Sequence, residues 1–426
     1  MIVNGDIKNL VANHVLPYLY GTSFVPGVTL VPYSGMYWDE KESEAAITAF
    51  MTGDWITSGK NVQKFELEFS KKFNAGHSVM VNSGSSANLV MLAALKKYYK
   101  WEDGDEIIVS PVGFPTTISV LFQNRLKPVF VDIEWDTLNF CLCGIEKKIT
   151  KKTRAIFLSP VLGNPPNIDE LLIICERFDL KLILDCCDSL GTTWNGKYLN
   201  EYAVASSYSF YASHHISTGE GGMISTTDKD LRKIMTSIAW WGRDCHCVGS
   251  GNMSRYGECK RRFDKWLENY DGIVDHKYVF SNMGYNLKPL DLQGAIGLVQ
   301  LEKFEEISKK RKTAKSKIQS IITRYVNDVD VVSHFSSADV CWFGVPFICK
   351  DADLKGRMVQ FLERNKVQTR NYFSGNILLH PGYSSLDDYK KYPEANKVLD
   401  KVFFLGCAPH YGDRVFEYLE NLFRIF

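Results

Sequence analysis

Hydrophobic residues along this chain alternate between short continuous runs and stretches with helical spacing. Stretches such as "SANLVMLAALKKYYK" and "NIDELLIICERFD" have the apolar spacing of amphipathic helices and lie between the runs. The strand-like runs are "HSVMVNS", "DEIIVSP", "KPVFVDI", "TRAIFLSP", "LKLILDCC", "ASSYSFYA" and "GGMISTT". This alternation predicts an α/β fold with a doubly wound, mostly parallel sheet of seven strands.

The pattern also divides the chain into three parts. Residues 1–40 contain Pro17, Pro26 and Pro32 and are predicted to form an irregular N-terminal arm. Residues 41–300 form the predicted large domain, which opens with the helix "EKESEAAITAFMTG" ending at Gly53 and with the helix "NVQKFELEFSKKFN". A long helix, "LQGAIGLVQLEKFEEISKKRKTAKSKIQSIITRY", leads into residues 301–426, the predicted smaller C-terminal α/β domain.

Composition narrows the class of protein without identifying it. The chain has 426 residues, 45% of them hydrophobic, and its 50 basic residues nearly balance 49 acidic ones. Composition therefore gives no argument for a nucleic-acid or acidic-membrane partner. The N-terminus lacks a basic segment followed by an apolar run, and no stretch of about 20 apolar residues occurs, so a cytoplasmic location is predicted. In that compartment the 11 cysteines are not expected to form disulfides, and a cluster of them indicates metal binding or catalysis.

A phosphate-binding turn is predicted in "VNSGSSANLV". This stretch follows a strand and opens a helix, so Gly84 and Ser85 present backbone N–H groups at a helix N-terminus. An ordinary serine N-cap would produce the same letters.

A buried carboxylate is predicted in "LILDCCDSLG". Asp185 ends a strongly apolar strand, at the edge where α/β sheets bind ligands. A helix cap or a salt-bridged aspartate remains the alternative reading of this residue alone.

The loop Ser209–Gly222, "SFYASHHISTGEGG", has the glycine-rich form of a cofactor loop that normally carries an imine-forming lysine. Here it has none: the nearest lysines are Lys197 and Lys229, and His214 and His215 lie inside the loop.

The order of these three motifs, together with "GYNLKPLDLQGAIGLVQLEKF", resembles the DegT/DnrJ/EryC1/StrS sugar aminotransferase family from about residue 40 to the C-terminus. The resemblance implies a fold type I pyridoxal-phosphate (PLP) enzyme that acts on nucleotide-linked keto sugars. It implies that Asp185 holds the pyridinium nitrogen, that Phe114 stacks on the ring, and that Asn286 reaches the cofactor of a neighbouring subunit in a homodimer. The implied phosphate ligands are Gly84, Ser85, Ser209 and the neighbour's copy of Asn286.

His214 occupies the position of that family's lysine. Imidazole forms no stable imine with the cofactor aldehyde, so ordinary transamination is disfavoured. The cofactor can instead be held without a covalent bond as pyridoxamine phosphate (PMP), with His214 as a catalytic base of near-neutral pKa. The expected outcome is dehydration of a keto sugar. A structural remnant in an inactive protein is the alternative.

Four cysteines, Cys187, Cys245, Cys247 and Cys259, have the spacing C-x57-C-x-C-x11-C, which fits neither a zinc ribbon nor a ferredoxin run. They resemble the iron–sulfur branch of the same family, although the last interval is four residues longer here. The resemblance implies a [2Fe–2S] cluster on these residues, with a loop at about 245–260, and an NADH-dependent flavin and iron–sulfur reductase as partner. A zinc site or unrelated core cysteines are the alternatives.

The sequence thus predicts a PMP- and [2Fe–2S]-dependent 3-dehydrase for 3,6-dideoxysugar and O-antigen biosynthesis. The expected substrate is a nucleotide-linked 4-keto-6-deoxyhexose, with CDP favoured over dTDP and GDP. The first alternative is a cluster-free 3-dehydratase that uses PLP and glutamate. A silent sugar-binding homologue and, last, an ordinary aminotransferase are the others.

Overall fold

The computed structural model describes residues 4–15, 24–53, 55–245, 247 and 260–426. The helices begin and end close to the positions that apolar spacing predicts. In chain order they are α1 (Asn4–Leu10), α2 (Glu40–Thr52), α3 (Lys60–Lys72), α4 (Gly84–Tyr98), α5 (Pro115–Gln123), α6 (Ile168–Arg177), α7 (Lys229–Ala239), α8 (Asp291–Tyr325), α9 (Ala352–Arg364), α10 (Pro393–Lys401) and α11 (Asp413–Ile425).

Strands occupy each of the seven predicted runs, and further short strands occur between and after them. In chain order they are β1 (His77–Val81), β2 (Glu106–Val109), β3 (Lys127–Phe130), β4 (Ile133–Glu134), β5 (Asn139–Phe140), β6 (Thr153–Leu158), β7 (Lys181–Asp185), β8 (Thr193–Trp194), β9 (Lys197–Tyr198), β10 (Ala205–Ser209), β11 (Gly222–Thr226), β12 (Val329–Val331), β13 (Ala338–Asp339), β14 (Gly344–Cys349), β15 (Thr369–Asn371) and β16 (Val402–Gly406).

The central sheet has seven strands in the order β1-β11-β10-β7-β6-β2-β3. Strand β11 pairs antiparallel with β1 and β10, and the other pairings are parallel. Residues of β2, β6 and β7 are almost entirely buried, as expected when helices cover both faces of a parallel sheet. The predicted doubly wound α/β sheet is confirmed.

The long helix α8 connects the two sheets. It packs against α2 and α3 beside the central sheet and against α11 beside a second, four-stranded sheet in the order β12-β14-β16-β15. Arg311, in the middle of α8, is buried at the point where the two parts of the chain meet the loop after β10. The boundaries at residues 40 and 300 stay predictions.

The N-terminal arm is more regular than the sequence suggested. Residues Asn4–Leu10 are α-helical and Val11–Val15 continue as a π-helical turn. Ile7 and Val11 are 3% and 1% exposed, because their spacing of four residues places both on one buried face. Three scattered prolines concealed this short amphipathic segment.

Two further observations concern cysteines and membranes. Cys141 and Cys143 form a disulfide, which corrects the expectation that no cysteine of this chain would be paired in this way. The two residues are two positions apart at a tight 3₁₀ turn, so the pairing is local. Across the described ranges, no helix has the length and apolar character needed to cross a membrane.

Candidate active site

A cavity of about 810 Å³ opens at the carboxyl ends of β7 and β10. Its walls come from the central sheet, from the loop after β10, and from β15 with the turn that follows. Most of the residues predicted from sequence line it: Gly84, Ser85, Phe114, Asp185, Cys187, Ser209 and His214. Segments distant in the chain therefore converge on one site, as expected where α/β sheets bind ligands.

The turn before α4 has the geometry of a phosphate site. Ser83 is the N-cap and its Oγ accepts a hydrogen bond from the backbone N–H of Ser86 at 3.1 Å, which leaves the N–H groups of Gly84 and Ser85 at the cavity. A Cβ on Gly84 would lie 2.5 Å from Ser209 Cβ and 3.0 Å from Cys187 Sγ. Only glycine therefore lets this turn approach β10. The turn is capped by Ser83 and still presents N–H groups to the cavity, so the N-cap and phosphate-binding interpretations of the motif are compatible.

Asp185 ends β7 as a buried carboxylate, 4% exposed, at the floor of the cavity. Its Oδ2 accepts hydrogen bonds from Asn88 Nδ2 at 2.8 Å and from Thr117 Oγ1 at 2.7 Å, and its Oδ1 accepts from the Cys187 backbone N–H at 3.3 Å. These donors hold the carboxylate in one orientation without supplying a cation. A carboxylate in such a place is suited to a protonated ring nitrogen.

His214 lines the same cavity and is turned in by the tight turn after β10, where its backbone N–H donates to Tyr211 O at 3.0 Å. Its ring lies 5.2 Å from the ring of Phe343, and Nδ1 lies 3.7 Å from Asp188 Oδ1, too far for a hydrogen bond. Among the described residues that line the cavity, none is a lysine. The cavity therefore contains the imidazole of His214 and, among its described lining residues, no lysine amine.

The predicted near-neutral pKa of His214 is wrong for this structure. Burial, with the nearby Arg311 charge second, lowers the pKa of His214 to about 3. Burial raises the pKa of Asp188 to about 8, and the neighbouring Asp185 charge adds to this. Both shifts favour neutral forms near pH 7. His214 is then an unprotonated imidazole, the form that accepts a proton.

Replacing Asp188 by asparagine should change how stability depends on pH. In the folded state Asp188 keeps its proton up to about pH 8, whereas in the unfolded chain it ionises near pH 4. The wild type therefore loses stability relative to Asp188→Asn as pH rises through this window, by about 1.4 kcal/mol per pH unit. Urea unfolding of both proteins at pH 5.5 and pH 8.0 measures this difference. An equal difference at the two pH values would contradict the raised pKa.

Asn286 lies apart from the residues above. It does not line the cavity of its own chain; it pairs with Trp240 in an isolated bridge, and Lys288 Nζ donates to its side chain. Lys288 in turn lies over the ring of Trp241 at 3.3 Å. The predicted role of Asn286 therefore needs a second copy of the chain.

Three of the four predicted cluster ligands lie within the described residues. Cys187 lies at the cavity, Cys245 and Cys247 follow α7 in the chain, and Cys259 lies outside the described residues. Over the described ranges, no three side chains of histidine, cysteine, aspartate or glutamate are placed to share a metal ion. The [2Fe–2S] cluster on these four cysteines therefore stays a prediction.

Sequence reasoning missed several residues that shape the site. Asp188, three positions after Asp185 in "DCCDS", could have been found from that spacing. Others gave no local signal, because they come from distant segments: Asn88, Thr117, Arg311, Phe343 and Arg370.

Comparison with known proteins agrees with this geometry. The lipopolysaccharide biosynthesis protein RfbH of Salmonella typhimurium is 35% identical over 99% of this chain and 97% of its own. The dTDP-4-dehydro-2,6-dideoxy-D-glucose 3-dehydratase of Saccharopolyspora spinosa is 36% identical over 93% of this chain and 86% of its own. A solved GDP-4-keto-6-deoxymannose-3-dehydratase with a trapped PLP–glutamate geminal diamine has a TM-score of 0.79 and 28% identity, covering 93% of this chain and 99% of that one.

These similarities extend over nearly the whole chain and include the PLP-dependent aminotransferase-like fold. The model of the DegT/DnrJ/EryC1/StrS aminotransferase family matches residues 38–420. That span contains the phosphate turn, Asp185, the His214 loop and helix α8. The chain belongs to the DegT/DnrJ/EryC1/StrS aminotransferase family.

Proposed function

We propose that this chain is a PLP/PMP-dependent 3-dehydratase of a nucleotide-linked 4-keto-6-deoxyhexose. The observation that carries the proposal is the cavity that joins a phosphate turn, a buried strand-end carboxylate and the His214 imidazole, with no lysine among its described lining residues. An imidazole can move a proton but cannot hold the cofactor covalently. The named relatives include 3-dehydratases of dTDP- and GDP-linked sugars.

Pyridoxamine phosphate, when bound, supplies an amine that condenses with the sugar ketone and a ring that accepts electrons. The residues of this chain would do the rest. The N–H groups of Gly84 and Ser85, with Ser209, bind the phosphate, and Phe114 covers the ring. Asp185 holds the proton on the ring nitrogen.

His214 would act as the base. In the neutral form it accepts the proton whose removal lets the 3-hydroxyl leave as water. The buried ring of Phe343 forms an apolar wall against one side of the imidazole. Such a wall keeps bulk water from competing for the proton.

Removal of a 3-hydroxyl with retention of the 4-ketone requires two electrons. In the cluster-free alternative they come from glutamate, which is oxidised to 2-oxoglutarate and ammonia while the sugar loses its oxygen. The similar solved structure that holds a PLP–glutamate adduct supports this version. We place it first because of this similarity.

The iron–sulfur version is the second candidate, and Cys187 is the observation that favours it. This thiol lies at the cavity within reach of the phosphate turn, since a Cβ on Gly84 would lie 3.0 Å from its Sγ. In that version a reductase delivers two electrons singly, with two protons, and water leaves. Cys245, Cys247 and Cys259 would have to come together around Cys187.

One experiment separates the two versions. The protein is purified anaerobically, analysed for iron and acid-labile sulfide, and given CDP-, dTDP- and GDP-linked 4-keto-6-deoxyhexoses either with PLP and glutamate or with PMP, NADH and a flavin and iron–sulfur reductase. Loss of the 3-hydroxyl with glutamate alone and no iron supports the cluster-free version. Iron, sulfide and a need for a reductase support the second candidate. An absence of turnover with each sugar under both conditions overturns the proposal.

We also propose that the chain works as a homodimer, with CDP as the first nucleotide to test and a product destined for surface polysaccharide. Asn286 lies outside its own cavity, next to exposed apolar side chains such as Met283, at 99% exposure, and Leu290, at 47%. Sedimentation of the purified protein tests the dimer, and weaker PLP binding in Asn286→Ala tests the shared site.

A further inference from the structure

Arg311, in the middle of helix α8, is a buried cation with an unusual set of partners. It is 1% exposed, and within the described ranges no carboxylate lies within ion-pair distance of it. Buried charges are normally paired with an opposite charge, because desolvation of an unpaired ion is costly. A guanidinium in this position therefore needs another explanation.

The hydrogen bonds of Arg311 lead to the candidate active site. Nη2 donates to the backbone carbonyls of Ser213 at 3.3 Å and His214 at 3.0 Å. Nη1 donates to the carbonyl of Phe343 at 3.1 Å, and it lies 3.8 Å from Cys407 Sγ. One planar group thus binds the loop that carries His214 and the segment that carries Phe343.

These two segments meet across the His214 ring. The rings of Phe343 and His214 are 5.2 Å apart, so the position of one restricts the other. A second link joins the same segments, because His215 Nε2 hydrogen-bonds to the carbonyl of Cys341 at 2.8 Å. Ser34 Oγ also donates to Ser213 O at 2.7 Å. Of these links, Arg311 alone binds the backbone of His214 itself.

We propose that Arg311 is a positioning residue for His214: its two-pronged guanidinium fixes the His214 loop against the Phe343 segment. Arg311 binds the backbone of lining residues but is not among those that line the cavity, so it acts through the loop rather than on cofactor or substrate. The positional part of this inference stands on the described contacts. The expected effect on turnover rests on the function proposed above.

The test compares Arg311→Met, Arg311→Lys and a matched control, Lys303→Met. Lys303 is a buried cation on the same helix, 9% exposed, but it pairs with Asp39 and Glu42. The position of the His214 ring is read from its signals in histidine-selective ¹⁵N NMR of the protein without sugar, identified by their loss in His214→Asn. The kcat and KM of dehydration are read separately.

In Arg311→Met we expect the His214 signals to shift and kcat to fall by about tenfold or more, with KM for the sugar little changed. Arg311→Lys keeps the charge, but its kcat should still fall, since an ammonium cannot bind two carbonyls as a fork does. Lys303→Met should alter neither quantity.

Two results would overturn the inference. One is an Arg311→Met protein whose His214 signals and kcat match those of Lys303→Met. The other, which decides the matter if Arg311→Met does not fold, is an Arg311→Lys protein with wild-type kcat. If the wild type converts none of the sugars, the proposed function fails, and the NMR comparison still tests the positioning role of Arg311.

Discussion

Replacing His214 by asparagine should reduce dehydration by about a thousandfold or more, while PLP or PMP still binds. General acid–base groups contribute roughly a hundredfold to ten-thousandfold to rate, and within the described lining of the cavity no lysine can take over the proton. Asparagine keeps a polar side chain of similar reach but accepts no proton. Turnover of the nucleotide-linked sugars gives the rate, and a fluorescence titration gives the cofactor affinity.

The adjacent histidine supplies the matched control. His215 is 2% exposed, and its Nε2 is bound to the carbonyl of Cys341 rather than turned to the cavity. His215→Asn should lower thermal stability and retain most of the turnover. Equal loss of activity in the two variants would assign the effect to the loop as a whole. Wild-type activity in His214→Asn would show that His214 is not the catalytic base.

Replacing Asp185 by asparagine should weaken PLP binding by about tenfold or more and lower turnover further. Hydrogen bonds to charged groups contribute about 1.5–3 kcal/mol, and the amide that replaces the carboxylate cannot stabilise a proton on a ring nitrogen. The fold should survive, because the asparagine oxygen can still accept from Asn88 and Thr117. Cofactor titration and turnover measure the two effects.

Asp105→Asn is the control for this substitution. Asp105 is also a buried aspartate of the central sheet, 3% exposed, but it precedes β2 at the opposite edge and pairs with Arg154 at 2.7 Å. Its loss should cost stability and leave cofactor affinity unchanged. Unaltered PLP affinity in Asp185→Asn would show that this carboxylate does not contact the cofactor.

The sheet could be predicted from the sequence because its strands are short and buried on both faces. Each strand therefore reads as a continuous apolar run, and turn residues separate these runs from the helices. The turn at Gly84 and the position of Asp185 could also be predicted, since each lies where a strand ends. The short helix Asn4–Leu10 was missed because three prolines dominate the composition of the arm.

A metal site is harder to predict from the sequence than a strand. Four cysteines in the right order indicated a cluster, yet spacing along a chain says nothing about whether side chains converge. Among the described residues no three such side chains are placed to share a metal ion, and Cys259 lies outside them, so the cluster stays a prediction. A ligand set is a property of distances, and those depend on how the segments pack.

The sequence by itself determined the order of strands and helices, the strand-end aspartate, the glycine of the phosphate turn and the replacement of the lysine by His214. Each is set by residues close together in the chain, whose patterns reflect local backbone geometry and burial. Only the tertiary structure decided the environment of His214. Burial is the main cause of the low pKa of that imidazole, and the charge of Arg311 is the second. Arg311 lies 97 positions from His214 in the chain, and only packing brings the two together.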